Sequence, residues 1–254
     1  MAFGGYGSSG TPRRRYQPNQ RTTIIVIVGV ALVAILLRTH RLSSAQIIYF
    51  CVLIPSIILH ELSHGVVALA FGDDTAKRNG RLTLNPIKHV DPVGTLLVPA
   101  VLSLSGIGAY GWAKPVPVSP NRLRSPRNQT VVVSLVGPLT NFVLAALMGL
   151  FYVLVTPAYT RLGYGSSYPG GLISQIFFYA GIANVVLGVF NLIPCPPLDG
   201  AAVLERMLPV RLLPEYYNLQ PFLMFLPFIL ILFFHNQWYD LINHIINWWA
   251  GLLK

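Results

Sequence analysis

From residue 45 to residue 72 the chain is almost wholly apolar. At ~1.5 Å per helical residue, that stretch can cross a ~30 Å hydrocarbon core. Further apolar runs lie at 22–37, 93–112, 130–156, 172–193 and 221–234, with an amphipathic stretch at 238–253. Charged residues make up 10% of the chain, against about 25% in a soluble domain, so too few polar side chains exist to cover a water-soluble globule. This excludes an ordinary cytosolic enzyme. The expected fold class is an all-α polytopic membrane protein with about five to six transmembrane helices, because a helix satisfies its own backbone in lipid.

The net charge is +10, but the basic residues form short clusters between apolar runs. That pattern fits anionic lipid headgroups and argues against nucleic acid as a partner. Cys51 and Cys195 sit in or beside apolar runs and suggest no disulfide framework. Residues 1–21, rich in Gly, Ser, Pro and Arg, are expected to be a disordered basic tail. Residues 22–253 are expected to form a single membrane-embedded domain. The run at 22–37 follows Arg13, Arg14 and Arg15 as a signal peptide would, yet ends in Arg38, Thr39, His40 and Arg41 without a small-residue cleavage pattern, and reads as a retained anchor.

Lysine and arginine orient the chain. The basic tail and the loops at 73–92, 113–129 and 200–220 are predicted to be cytoplasmic, and 157–171, with only Arg161, external. Arg38 and Arg41 go against the rule. With both 73–92 and 113–129 on one side, the run at 93–112 has to enter and return as a re-entrant segment. Pro99, Gly106 and Gly108 interrupt it, and such backbone at membrane depth must line protein or water.

Within the run at 45–72 stands the sequence HELSH. A charged group there costs ~2.5–3.5 kcal/mol on insertion scales, so three ionisable residues together need a reason. His60 and His64, four apart, lie one turn apart on one helix face. Two imidazoles so placed can ligate one Zn²⁺, and Glu61 can act as the base toward water at that site. The blander reading is a pair of core histidines with a hydrogen-bonded glutamate.

Catalytic zinc needs a third protein ligand, and the chain has only eight acidic residues. Asp73, Asp74 and Asp91 belong to the polar loop and Asp240 lies near the C-terminus. Asp199 follows a spanning run in NLIPCPPLDG, where Pro194, Pro196 and Pro197 deny the backbone a helical ladder. From such an unwound stretch a carboxylate can point inward. Equally, Asp199 can make a turn with Gly200 or cap the next helix.

HELSH in one membrane run, GPLTN at 137–141 in another and NLIPCPPLDG at 191–200 after a third resemble the site-2 protease family of intramembrane zinc metalloproteases. RLTLNPIKHVDPVGT (81–95) and GWAKPVPV (111–118) are similar to features of its compact members. The resemblance covers a catalytic core of about 45–210. It implies that His60, His64 and Asp199 bind one Zn²⁺ per chain, that Glu61 is the general base, and that Asn141 holds the substrate backbone or stabilises the oxyanion. It implies intramembrane proteolysis of transmembrane protein substrates, in the cell membrane, with the N-terminus and active-site opening toward the cytoplasm. No polar segment between apolar runs is long enough for the PDZ-like or CBS modules of larger members.

Residues 81–85 alternate polar and apolar before Pro86 and read as a short β-strand near the active site. Leu82, Thr83, Leu84 and Asn85 are expected to pair with an unwound substrate; a surface loop is the alternative. His89 and Asp91 read as loop residues, less readily as partners orienting a zinc-bound histidine. Cys195 reads as a small buried cysteine. Trp238, Tyr239, Trp248 and Trp249 suggest an aromatic belt, while the resemblance alone implies that Trp112 and Lys114 line the active-site mouth. The rival reading is a non-catalytic zinc-binding membrane protein, a transporter or substrate-holding pseudoprotease; Glu61 argues against it, since binding alone needs no base.

Overall fold

The computed structural model describes residues 44–97, 114–157 and 171–253, with Ile27, Val28, Ala31 and Ile35 of the first apolar run, which are helical. The expected basic tail and most of the expected re-entrant segment lie outside the described residues. Eight α-helices can be followed among the described residues: α1 Ser44–Ala70, α2 Thr75–Arg78, α3 Pro126–Val155, α4 Leu172–Asn191, α5 Ala201–Met207, α6 Leu213–Leu223, α7 Leu226–Phe233 and α8 His235–Leu252. Of these, α1, α3 and α4 are long and apolar enough to cross a membrane.

These three pack on one another, α3 against α4 most extensively. The reason is written in α3, whose buried Val133, Gly137, Asn141, Ala145 and Gly149 recur every fourth residue along one face. Small residues let helix backbones approach, which is how helices hold together where lipid removes the hydrophobic drive. Leu139, Val143, Leu150 and Leu154 on the rest of α3 are exposed, as a lipid-facing surface requires. Pro55 in α1 and Pro138 in α3 are accommodated inside continuous helices.

The run at 221–234 does not form one crossing. It is divided among the end of α6, the eight-residue α7 and the start of α8. Pro227 enters the first turn of α7 without an N–H to give, and Phe234 leaves helical geometry at φ −117°, ψ 36°. α8 then runs back along α4: Trp238 meets Phe190 edge-on with centroids 5.5 Å apart, and Trp249 fills a notch made by Gly149 and Gly181. A Cβ at Gly149 or Gly181 would stand 2.7 or 2.6 Å from that indole. Trp249 is therefore buried, whereas Tyr239 and Trp248 stay exposed, so the expected aromatic belt is only part of what these residues do.

No strand occurs among the described residues, and residues 81–85 form bends and irregular backbone instead. The alternation that suggested a strand has another cause. Arg81 is buried and its guanidinium donates to the carbonyls of Lys88, Lys114 and Pro115, at 2.7 Å to Lys114 and 3.0 Å to Pro115. A buried arginine satisfying three carbonyls gathers this loop without a β-ladder. His89 helps, accepting from Lys114 N–H at its carbonyl and setting Nε2 2.8 Å from Thr83 O. Asp91 Oδ1 accepts from the N–H groups of Val93 and Gly94. Both residues serve the loop. The preceding corner is held by buried Asp73, which accepts from Thr75 N–H at 3.0 Å, the Thr75 hydroxyl and Ser119 N–H at 2.6 Å.

Candidate metal centre

His60 and His64 stand one turn apart on α1, both buried, with ring centroids 4.7 Å apart. From His60 to the end of α1 is ten residues, ~15 Å of helix, so the pair lies well inside the bundle. α3 approaches closely because residue 137 is glycine. A Cβ there would fall 2.5 Å from His64 Cε1 and 2.6 Å from His60 Cε1, and closer still to His64 Nε2.

Asp199 comes from the opposite side. After α4 ends, the chain turns through Ile193, Cys195 and Leu198 and closes back on the helix, Gly200 N–H donating to Asn191 O at 2.7 Å. A Cβ on Gly200 would stand 2.5 Å from Ile193 O, so only glycine permits this closure. The turn carries Asp199 Oδ2 to 3.1 Å from His60 Nε2 and 3.4 Å from His64 Nε2. Of the two open readings of Asp199, the carboxylate takes the inward one: no side chain caps α5. Cys195 points away, its Sγ 3.5 Å from Pro196 O and 3.6 Å from Leu223 O.

The chemistry of these atoms tests whether a cation fits. His60 Nδ1 lies 2.6 Å from Asn141 Oδ1, and His64 Nδ1 lies 2.6 Å from Val133 O. Both partners are oxygens that only accept, so in neutral rings both Nδ1 atoms carry the proton and both Nε2 atoms carry a lone pair. Those lone pairs face each other at 3.1 Å and face Asp199 Oδ2, a buried atom without a hydrogen-bond partner among the described residues. Three acceptors converge with no proton between them, which is unfavourable unless a cation sits there. Tetrahedral zinc with bonds of ~2.0–2.2 Å sets its ligands ~3.3–3.5 Å apart; the separations of 3.1, 3.1 and 3.4 Å are close to that. Among the described residues this is the grouping of His, Cys, Asp and Glu able to hold a metal ion.

Glu61, next to His60, accepts at Oε2 from Val116 N–H at 2.7 Å. Val116 lies between Pro115 and Pro117, so its N–H is the one backbone donor of that tripeptide. Asn141 has no exposed surface; besides meeting His60 it donates from Nδ2 to Asn184 Oδ1 at 2.8 Å. Leu82 lies against α1 beside the site, 2.5 Å from where a Cβ on Gly65 would stand. Leu84 and Ile87 are exposed. Trp112 lies outside the described residues. Sequence reasoning missed the roles of Val116 N–H, Val133 O, Gly137 and Asn184; Gly137 and Val116 lay inside GPLTN and GWAKPVPV, and Asn184 showed as a polar side chain inside an apolar run, whereas Val133 O left no signal.

Three apolar helices enclosing a His–His–Asp donor set define a membrane-embedded metalloprotease-type centre. Comparison with known proteins agrees. The sequence pattern of "Peptidase family M50" matches residues 158–234. YwhC of Bacillus subtilis, named as a candidate zinc metalloprotease, is 44% identical over 157 residues, covering 62% of this chain and 67% of that protein. Rip2 of Mycolicibacterium smegmatis, named likewise, is 33% identical over 201 residues, covering 76% of this chain and 72% of its own length. The site-2 protease from Methanocaldococcus jannaschii superposes with a TM-score of 0.42 at 17% identity, over 90% of this chain and 87% of that one; a likeness that weak defines neither fold nor site. The chain belongs to peptidase family M50, the site-2 proteases, and is a multi-pass membrane zinc metalloprotease.

Proposed function

We propose that this protease cleaves peptide bonds within or near the transmembrane segments of other membrane proteins, in regulated intramembrane proteolysis. The observation that carries the reading is the convergence of His60 Nε2, His64 Nε2 and Asp199 Oδ2 inside a bundle of membrane-length helices. A hydrolytic centre at that depth has use only for chains that enter the membrane. His60, His64 and Asp199 would hold one Zn²⁺, and residues 22–253 act as a single membrane-embedded domain.

A Zn²⁺ bound there would supply Lewis acidity toward a carbonyl and toward water. Glu61 is the general base. Val116 N–H holds its Oε2, leaving Oε1 to take the proton of the attacking water and deliver it to the leaving amine. Asn141, expected to hold the substrate backbone or stabilise the oxyanion, is fully buried with Oδ1 on His60 Nδ1–H and Nδ2 on Asn184; its role is instead that of a positioning residue acting through His60. The substrate helix has to unwind before attack, because its carbonyls are otherwise engaged. Leu82, Thr83, Leu84 and Asn85, without a strand partner in the described structure and anchored by Leu82 against α1 beside the site, receive the unwound segment by strand addition. The chain lies in the cell membrane with its N-terminus and site opening on the cytoplasmic side, a reading that the basic loops support.

The test pairs wild type with Glu61→Gln in liposomes, measuring zinc per chain and cleavage of a transmembrane peptide. One zinc in both forms and cleavage by wild type alone are expected. Cleavage of water-soluble peptides in preference to membrane-inserted ones refutes the substrate class. Cysteine labelling of 114–119 from outside only refutes the orientation.

A further inference from the structure

A chain of buried amides runs from His60 across all three membrane-length helices, and its direction can be worked out from its far end. Asn184 of α4 donates from Nδ2 to Ala180 O at 2.8 Å and to Ser56 Oγ of α1 at 2.8 Å. The Ser56 hydroxyl donates in turn to Val52 O at 2.8 Å. Asn184 Oδ1 accepts from Asn141 Nδ2 at 2.8 Å, and Asn141 Oδ1 meets His60 Nδ1 at 2.6 Å. Asn141 and Asn184 are among the most deeply buried side chains described, so water cannot replace any link.

Ala180 O can only accept. Asn184 must therefore turn its NH₂ toward Ala180 and its oxygen toward Asn141. Asn141 must then offer NH₂ to Asn184 and oxygen to His60. An oxygen there obliges His60 to carry its proton on Nδ1, which leaves Nε2 as the lone pair facing His64 and Asp199. Were Asn141 reversed, its NH₂ would face Nδ1, the proton would move to Nε2, and the site would lose a ligand. Asn141 alone cannot decide this, since an amide rotated by 180° has almost the same shape.

We propose that Asn184 is the residue that sets the tautomer of His60: a positioning residue which, through Asn141, keeps His60 Nε2 free for the metal. The inference rests on the reading of His60 as a zinc ligand. Ser56 is an auxiliary, because Ala180 O on its own dictates which way Asn184 faces.

The experiment measures zinc dissociation constants of the full-length protein by chelator competition, and the His60 tautomer by ¹⁵N-histidine NMR of the metal-free protein. Asn184→Leu is expected to weaken zinc binding about 10- to 100-fold, the range for partners that orient metal ligands, and to populate the Nε2–H tautomer. Asn184→Ser, whose hydroxyl is too short to reach Asn141, gives the same result if the leucine variant fails to fold. Ser56→Ala is expected to change affinity less than about threefold. In an Asn141→Ala background, Asn184→Leu has no further effect, because nothing remains to relay. Wild-type affinity and tautomer in folded Asn184→Leu and Asn184→Ser, or strictly additive losses in the double variant, overturn the proposal. His60→Ala tests the underlying reading separately: undiminished zinc binding in that variant removes His60 from the site and leaves nothing for Asn184 to position.

Discussion

Gly137→Ala adds one methyl group to a helix and should disable the metal centre. The new Cβ would stand 2.5 Å from His64 Cε1 and 2.6 Å from His60 Cε1. Ordinary contact begins near 3.4 Å, so both rings must retreat by about 0.9 Å, several times the ~0.2 Å that zinc coordination tolerates. Neither ring can do so while keeping its Nδ1 partner, since Asn141 and Val133 belong to the same helix as the added methyl. Overpacking of this kind costs about 1–3 kcal/mol, or ~5- to 150-fold in affinity at 1.4 kcal/mol per tenfold. With two ligands displaced together, a loss of ~100-fold is expected. Alanine's better helix propensity, ~1 kcal/mol over glycine, offsets part of the strain in metal-free protein, so the helices persist. Zinc per chain and chelator competition in detergent provide the assay, with circular dichroism as the check on folding. Gly251→Ala, with no neighbour within 4 Å of its Cβ, serves as the control. Wild-type zinc affinity in a folded Gly137→Ala would show that α3 does not frame the ligands as described.

Gly200→Ala places a Cβ against the carbonyls of Leu192 and Ile193; Asp199 is carried off target, and zinc affinity should fall at least tenfold by the same competition assay. For Asp73, burial alone would raise the carboxyl pKa, but the Thr75 hydroxyl, the Ser119 and Thr75 N–H groups and Arg122 outweigh it and hold it below the usual carboxylate range. A depressed folded-state pKa contributes stability above the unfolded value near ~3.9 and loses it as pH falls through the lower folded value. Asp73→Asn should therefore lower Tm at pH 7 and flatten the acid side of the Tm–pH curve; an unchanged acid limb would exclude Asp73 from the corner's stability. Trp249→Ala removes the side chain that seats α8 against Gly149 and Gly181, a loss of ~3–5 kcal/mol in a water-soluble core. Limited proteolysis should then release fragments cut within 224–236 much faster than from wild type, and equal rates would mean α8 is held elsewhere.

The two histidines and the glutamate were legible because helical spacing is local: a separation of four places two rings on one face whatever surrounds them. Asp199 was not, because its direction is set by the closure of Gly200 onto Asn191 O, a contact between segments that no spacing rule encodes. The strand expected at 81–85 illustrates the opposite error. Its alternation was genuine, yet it recorded a buried Arg81 collecting three carbonyls and a Leu82 packed against α1, with no neighbouring strand to pair among the described residues. The sequence left the path of 221–253 open between one crossing, two half-helices and an interfacial arm, because the apolarity of the run and its breaks at Pro221 and Pro227 pull in opposite directions. Asn184 stood out as a polar residue in an apolar run, but its partner did not: the rotation of α3 against α4 decides whether two asparagines meet.

The stretch beside Glu61 has one more property. Lys114 N–H is taken by His89 O, Lys114 O and Pro115 O are taken by Arg81, Val116 N–H is taken by Glu61, and Pro115 and Pro117 have no N–H at all. A protease that takes unwound chains, as proposed above, keeps extended backbone of its own within reach of its own chemistry. Here every backbone donor from 114 to 117 is engaged in advance, so a visiting strand finds no N–H there with which to zip up.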